Sequence, residues 1–458
     1  MRRITGTHVY SYAKCPRLAA LDLSLPKSER RVWHPWEEFA AKRGRDFEDE
    51  FVATLAAVQP EYPARDFDRG AAATLELLKQ GVPWIHQAVL LGDQRLGLPD
   101  LLRKVDGPSK LGSHHYEVLD VKTSGLARGD QVLQVMFYTR LLAELQGRMP
   151  ERAAIILKDG SEHGFATADY LAVTRDVEGA LLRLAAHPDL ARPFLQRGCE
   201  SCHWSDHCLP ELTAKGDLSL VAGMSHGARA ILEANGCRTV ADLAEFSNDG
   251  RSLSQLDSAL VRRLRKAAQA RLAAAPTVEA RPRQKGSLSL DRAAIIHLLT
   301  DPYAGRVLAF AVQHPIGDDN GIAVELPASV ATEWSALKAL LARVPTGVPL
   351  LHFDSALPRW YEAHAFSREA DTGLAARFVD LQRRLRAAAL FPEPAFTLAD
   401  LVRCALSRDP LRAGHWGQAA MWAAEADGAD KLVAKARADV QDLADLKRRV
   451  LDAAPTPA

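Results

Sequence analysis

The chain has 458 residues, 47% hydrophobic and 25% charged, with a formal net charge of +1. That length asks for two or three domains, and the composition is that of a globular protein. The near-zero charge excludes a general basic attraction to nucleic acid, so any such binding needs a local basic groove. Six cysteines in so long a chain do not make a secreted disulfide scaffold. No run approaches the roughly 18 continuous apolar residues of a membrane span, and Arg2-Arg3 leads into no apolar stretch. The expectation is a cytoplasmic protein with no membrane partner, in a reducing compartment where thiolates can serve as metal ligands.

Cys15 stands alone near the start. Apolar periodicity predicts a helix over 37–55, on which Glu48 shares the stripe of Ala41, Gly44, Phe51, Val52 and Leu55 while Asp46, Asp49 and Glu50 point elsewhere. A core-facing carboxylate is costly unless a cation compensates it; a partly exposed Glu48 paired with an arginine is the plainer alternative. Strands follow over 84–91 and 96–105, meeting at Gly92-Asp93, and the second carries Asp100 after Gly97-Leu98-Pro99. Aspartate disfavours strand interiors unless it has a task. In a third strand, over 115–122, alternation puts Asp120 and Lys122 on one face and Val121 opposite. Such a pair can share a metal-bound water, although an isolated Asp-x-Lys is usually a surface salt bridge. Asp130 reads as the N-cap of a helix over 131–145, where Gln134 and Tyr138 lie one turn apart, with Gln131 on the same side. A solvated helix face is the ordinary explanation of those polar groups. A buried strand over 153–157 follows.

Cys199, Cys202 and Cys208 then form C-x2-C-x5-C. With Cys15 they make four thiolates, which suit an iron–sulfur cluster or a zinc ion and imply that the intervening chain folds back on itself. His203 and His207 lie in the same loop and are expected to be exposed; Cys237 and Cys404 read as core thiols. Residues 213–275 suggest a helical hairpin module with turns at Gly223 and Gly236, closed by the basic stretch Val261-Arg262-Arg263-Leu264-Arg265-Lys266. A linker is expected over 276–288, then a third domain over 289–453 with strands at 306–312 and 348–353, and a short tail at Pro455-Thr456-Pro457.

The order Gly44-x3-Glu48, Asp100, Asp120-x-Lys122, Gln134-x3-Tyr138, on helix, strand, strand and helix, resembles the RecB-like branch of the PD-(D/E)xK nuclease superfamily. Glu48 stands where that branch often has histidine. Tyr12-Ala13-Lys14-Cys15-Pro16-Arg17 and Gly198-Cys199-Glu200-Ser201-Cys202 look like the cluster motifs of its iron–sulfur subgroup, which includes the AddB nuclease and the CRISPR-adaptation exonucleases. The resemblance covers about the first 210 residues. It implies an α/β restriction-endonuclease-like core over 1–212 and a metal-dependent DNA nuclease of repair or recombination, cutting single strands from an end or at a flap. Carried over, Glu48, Asp100 and Asp120 would hold Mg²⁺ or Mn²⁺. Lys122 would act on the attacking water with its pKa lowered beside the metal, and Gln134 and Tyr138 would support substrate placement. Cys15, Cys199, Cys202 and Cys208 would bind a structural [4Fe–4S] cluster, with zinc as the competing choice. The implied partners are DNA, single-stranded or with free ends, and a helicase.

Leu220-Val221-Ala222-Gly223-Met224 followed by Gly236-Cys237-Arg238-Thr239 looks like a helix–hairpin–helix element, with a helical spacer as the alternative. The third domain resembles the RNase H-like domain fused to RecB-like nucleases in one bacterial family, with Phe378-Val379-Asp380-Leu381 and Arg437-Ala438-Asp439-Val440 in keeping. Its first-strand region, 295–301, lacks the required Asp-x-Glu, and Asp354 is not clearly in register. Asp439 alone cannot hold two metals, so this domain is expected to be a degenerate RNase H-like α/β domain without catalysis. Two other readings compete with the nuclease: a catalytically weak DNA-binding adaptor working with a helicase, and an RNA-directed nuclease.

Overall fold

A computed structural model describes residues 3–246, 255–278, 290, 292–301, 305–314, 321–365, 373–394, 396–409 and 416–452. The expected linker lies outside the described residues from position 279 onward, and so does the tail. The chain is a mixed α/β structure that divides into two compact units, Met1–Pro193 with Ser201–Asp206 and Phe194–Glu200 with His207–Ala458. Among the described residues no helix is long and apolar enough to cross a membrane.

In the first unit a five-stranded sheet runs in the order Trp84–His86, Leu101–Ser109, Gly112–Val121, Arg152–Ile156, Glu162–Ala166. Its neighbours are antiparallel except Gly112–Val121 and Arg152–Ile156. That parallel step requires a crossover, and the helix Gly129–Gln146 supplies it. Val132, Val135, Met136, Phe137, Leu141 and Leu142 of the helix share one core with Ile85, Leu102, Tyr116, Val118, Ala153 and Ile155. Leu101, Leu119, Val121, Ala154 and Ile156 form a second cluster, packed under Phe47, Phe51, Val52 and Leu55 of the helix Pro35–Ala53. The Gly112–Val121 strand is therefore covered on both sides, and every residue from His114 to Val121 is buried.

Three local expectations shift. The strand expected over 84–91 stops at His86, because Gln87 takes a left-handed backbone with φ +51°. The one expected over 96–105 breaks after Gly97 and resumes at Leu101, which places Asp100 in the break rather than inside a strand. Leu90–Gly92 and Arg95–Gly97 instead make a hairpin in a separate small sheet, joined in parallel by Ile4–Thr5. The crossover helix starts at Gly129, with Arg128 and not Asp130 as its N-cap. Gln131 Oε1 accepts the Arg128 N–H at 3.0 Å, which lets the helix begin earlier, while Asp130 Oδ1 accepts the Gln131 N–H.

In the second unit the helices His226–Ala234, Val240–Glu245 and Ser258–Leu272 share a core of Leu218, Val221, Leu232, Leu243, Val261 and Leu264. Gly223 and Gly236 adopt φ of +88° and +86°, which only glycine takes cheaply. A second five-stranded sheet has the order Ile322–Glu325, Arg306–Gln313, Ala294–Asp301, Leu350–His352, Phe378–Asp380. The first three strands are mutually antiparallel and the last two continue in parallel. The helix Gly428–Leu446 packs Leu432, Ala436, Val440 and Leu443 on this sheet.

The same helix carries Asp439, 4% exposed, which accepts from His297 Nε2 at 3.2 Å and from Lys435 Nζ at 2.5 Å. Burial would raise this carboxyl, but the His297 hydrogen bond and the charges of His297 and Lys435 hold it below its usual value. A depressed folded-state pKa contributes stability above the ordinary aspartate range that is lost as pH falls through it. Asp439→Ala, which strands Lys435 and His297, should cost about 3 kcal/mol in urea unfolding at pH 7 and markedly less near pH 3. An equal loss at both pH values would contradict this account.

Candidate active site

The strand Gly112–Val121 delivers Asp120 into the protein interior, 1% exposed. Lys122 lies just past the strand end; its Nζ forms an ion pair with Asp120 and lies 3.7 Å from Asp100 Oδ2. Asp100 is fixed in turn by the Val121 N–H, which donates to Oδ2 at 2.8 Å. Apart from the ammonium contact, both Asp120 oxygens are buried without a hydrogen-bond donor among the described residues. Orphaned buried oxygens are rare, and here both belong to one carboxylate, with that of Asp100 beside it.

The electrostatics follow from this crowding. Burial pushes the Asp120 carboxyl well above its usual range, the Asp100 charge adds to the rise, and Lys122 opposes it. Burial alone would lower Lys122, but Asp120 and Asp100 outweigh it and hold the ammonium above its ordinary value. The chain's own groups therefore act against the lowered Lys122 pKa that the sequence suggested; only an added cationic charge would bring it down. Tyr138, 5% exposed, is pushed up by burial first and then by Asp120 and Asp100. Gln134 Nε2 donates to its Oη at 3.1 Å. The ring is wedged in place: a Cβ on Gly6 would run into its hydroxyl end, and one on Gly97 would come within 3.1 Å of Cδ1.

Asp100, Asp120, Lys122, Gln134 and Tyr138 thus form one connected group. Glu48 reaches it through an intermediary. Its Oε1 accepts from Gln87 Nε2 at 2.7 Å and meets His86 Nε2 at 3.2 Å, and the Gln87 N–H donates to the Asp100 carbonyl at 3.0 Å. Sequence reasoning missed His86 and Gln87. Their only trace was a polar pair closing Trp84-Ile85 just before the apolar Ala88-Val89-Leu90. Gln131, expected to share the face of Gln134, instead exchanges hydrogen bonds with Ser124 and holds the loop after Lys122.

Among the described residues, no group of three or more His, Cys, Asp or Glu side chains is gathered closely enough to hold a metal ion. The fit to a divalent cation is that of a carboxylate pair, Asp100 and Asp120, whose oxygens are the hard ligands such an ion takes, those of Asp120 having no donor beyond Lys122. Glu48 stands apart from the pair with its partners His86 and Gln87.

Cys15 sits between the helices Gly6–Lys14 and Pro16–Ser24, within electrostatic reach of Cys202. Burial raises the Cys202 thiol, and Cys15 adds to the rise. Cys199 and Cys208 belong to the second unit. All four thiols are half-buried and free of disulfides. Cys202 Sγ accepts the Trp204 N–H at 3.5 Å, and Cys199 Sγ the Gln196 N–H at 3.4 Å. Cys237 and Cys404 are buried, their thiols pushed up to about 11 by burial. The loop around Cys202 is clamped by Arg31, whose guanidinium donates to the Ser201 and Cys202 carbonyls and, bidentate at 2.7 Å, to Glu37 on the helix that bears Glu48.

Beneath that loop, Asp22 Oδ1 meets His203 Nε2 at 2.9 Å, Trp204 Nε1 at 2.9 Å and Arg30 Nη2 at 2.5 Å, while Oδ2 accepts from Ser11 Oγ at 3.0 Å. His203, expected to be exposed, is half-buried because Asp22 holds it; His207 is half-buried too. Against its burial, these donors, His203 before the others, lower Asp22 to about 2. Asp22→Ala should therefore cost about 3 kcal/mol or more and speed amide exchange in residues 201–206; an unchanged unfolding midpoint would refute the tether. No protein-family model matches this sequence, and no curated protein does.

Proposed function

We propose that the chain is a RecB-like, metal-dependent DNA nuclease of the PD-(D/E)xK type, hydrolysing phosphodiesters in single strands or flaps during DNA repair or recombination. The observation that carries this reading is Asp120, buried with donor-starved oxygens beside Asp100 and Lys122. The first-unit sheet with its one helical crossover supports the fold reading, because it sets an acid and a lysine at the end of one strand under the helix of Gln134 and Tyr138.

Asp100 and Asp120 would hold Mg²⁺ or Mn²⁺, and a bound ion of this kind supplies Lewis-acid polarisation of the phosphoryl oxygen and a more acidic water. The Lys122 ammonium, between the two acids, would orient the attacking water and balance negative charge growing on the phosphoryl oxygens. Tyr138, braced by Gln134, keeps bulk water from the Asp120 side of the pair. Glu48, held by His86 and Gln87, sets the position of Asp100 through the Gln87 backbone. In this reading Cys15, Cys199, Cys202 and Cys208 would carry a structural [4Fe–4S] cluster, on the strength of their motif spacing alone.

The second unit fits a degenerate RNase H-like domain, since its strand order is 3-2-1-4-5 with the second strand antiparallel. On its first strand His297 meets Asp439, and the Lys435 ammonium neutralises this one acid that a metal would need. Asp354 Oδ1 is spent on the Ala356 N–H at 2.6 Å, at the start of the following helix. The three-helix module before it is read as a helix–hairpin–helix element that meets DNA backbone.

End-labelled single-stranded DNA, incubated with anaerobically purified protein, should be shortened with Mn²⁺ and left intact with EDTA. Asp120→Asn and Lys122→Ala should lose about 10²-fold or more of the rate, whereas Asp439→Asn should keep it. Parental cutting by a folded Lys122→Ala protein would defeat the assignment; binding without cutting by the parent would favour an adaptor, and faster cutting of the matching RNA an RNA-directed enzyme. His86→Ala should slow cutting about 10-fold, the usual scale for a residue that orients a ligand, and no change would remove His86 from the site.

A further inference from the structure

The resemblance assigns Glu48 to a divalent ion, yet its carboxylate is already held by protein donors. Its Oε1 accepts from Gln87 Nε2 at 2.7 Å and meets His86 Nε2 at 3.2 Å. To join a shared ion, Glu48 would have to give up both. Its surroundings also differ from those of the acid pair. The Glu48 side chain is 21% exposed, against 1% for Asp120. Among the described residues the Asp120 oxygens have no donor beyond Lys122, whereas one Glu48 oxygen has two.

The helix that presents Glu48 is seated on either side of it. Glu37, eleven positions earlier and within about 20° on a helical projection, is gripped by Arg31, while Phe51 and Val52 pack against the buried sheet cluster beyond. Gln87 is the unusual neighbour. Its backbone is left-handed, φ +51°, a conformation costly for a residue with a side chain and found mostly where function keeps it. That twist ends the strand Trp84–His86 and sends two groups of one residue to two acids. The side-chain amide goes to Glu48, and the N–H goes to the Asp100 carbonyl at 3.0 Å. A line of contacts thus runs from Glu48 through Gln87 to Asp100, and Lys122 Nζ reaches both Asp100 and Asp120.

We infer that Glu48 is a positioning residue and not an ion ligand: Asp100 and Asp120 take the divalent cation, and Glu48 holds Gln87, which sets Asp100. The inference rests on the nuclease reading of the same site. An outer group of this kind changes ion affinity about 10- to 100-fold without touching the ion. Such a position needs a hydrogen-bond acceptor of the right length, which a carboxamide oxygen supplies as a carboxylate does. A ligand of Mg²⁺ or Mn²⁺ instead draws much of its affinity from negative charge. The two roles therefore respond in opposite ways to one substitution of equal size, Glu48→Gln.

Mn²⁺ binding to the full chain without DNA, read from the paramagnetic signal of the free ion, separates them. Glu48→Gln should keep the Kd within about threefold, while Glu48→Ala and Gln87→Gly should each weaken it about tenfold, and the double variant no further. Glycine takes the left-handed turn without strain, so Gln87→Gly removes the carboxamide and spares the backbone. In EDTA, solvent exchange of the Gln87 N–H should be as slow in Glu48→Gln as in the parent and about tenfold faster in Glu48→Ala. A loss of Mn²⁺ affinity in Glu48→Gln as large as that in Asp120→Asn would make Glu48 a ligand and overturn the inference. Gln87 exchange indifferent to Glu48→Ala would overturn it too. A parent chain that takes up no Mn²⁺ is a separate failure, which defeats the metal reading itself and takes this inference with it.

Discussion

One carboxylate in the wrong solvent organises the first unit. Asp120 sits in the interior of a sheet covered on both sides, where an ionised acid without compensation is strongly disfavoured. The protein answers with a single ammonium, Lys122, and brings in a second acid, Asp100, which makes the shortage of positive charge worse. Such an arrangement is poor for stability alone, because an apolar pair of the same volume would pack at lower cost. It becomes sensible if the missing charge comes from a bound ion, as the proposed function has it.

The surroundings of this group are built to keep it from relaxing. Tyr138 is pressed between Gly6 and Gly97, positions where any side chain would collide with its ring or force it aside. Asp100 is pinned through both of its oxygen-bearing groups, since its carboxylate takes the Val121 N–H and its carbonyl the Gln87 N–H. At the far end of the Glu48 helix, Glu37 shares Arg31 with the carbonyls of the Cys202 loop. The Cys202 loop and the start of the helix that presents Glu48 thus share one guanidinium.

The second unit shows the opposite solution to the same physical problem. Asp439 is nearly as buried as Asp120, but the Lys435 ammonium neutralises it within the protein and His297 adds a hydrogen bond, so the cost of burying its charge is offset without waiting for an ion. Two buried aspartates in one chain thus differ in whether positive charge is supplied by the sequence. That difference, more than burial or strand position, separates a candidate reaction centre from a structural ion pair.

Much of the candidate site was legible in the linear chain. Alternation along a strand fixes that Asp120 and Lys122 share a side, and helical spacing fixes that Gln134 and Tyr138 do, because these relations depend only on backbone periodicity. The stripe of Ala41, Gly44, Phe51, Val52 and Leu55, with Glu48 among them, likewise marks one face of its helix, of which Phe51, Val52 and Leu55, joined by Phe47, pack on the sheet. Other features had no local signature. Asp100 lies in a break because Gln87, thirteen positions earlier, turns left-handed and donates to it; His86 and Gln87 hold Glu48 only because distant segments meet; and His203 is drawn in by Asp22, far away in sequence. The sign of the Lys122 shift escaped the sequence too: the resemblance implied a lowered pKa beside a metal, whereas the chain's own carboxylates raise it, and that depends on how close they come after folding. The sequence by itself determined which groups lie on which face of each element, a matter of short-range geometry. Only the tertiary structure decided which faces meet and which charges go uncompensated, because those follow from long-range packing.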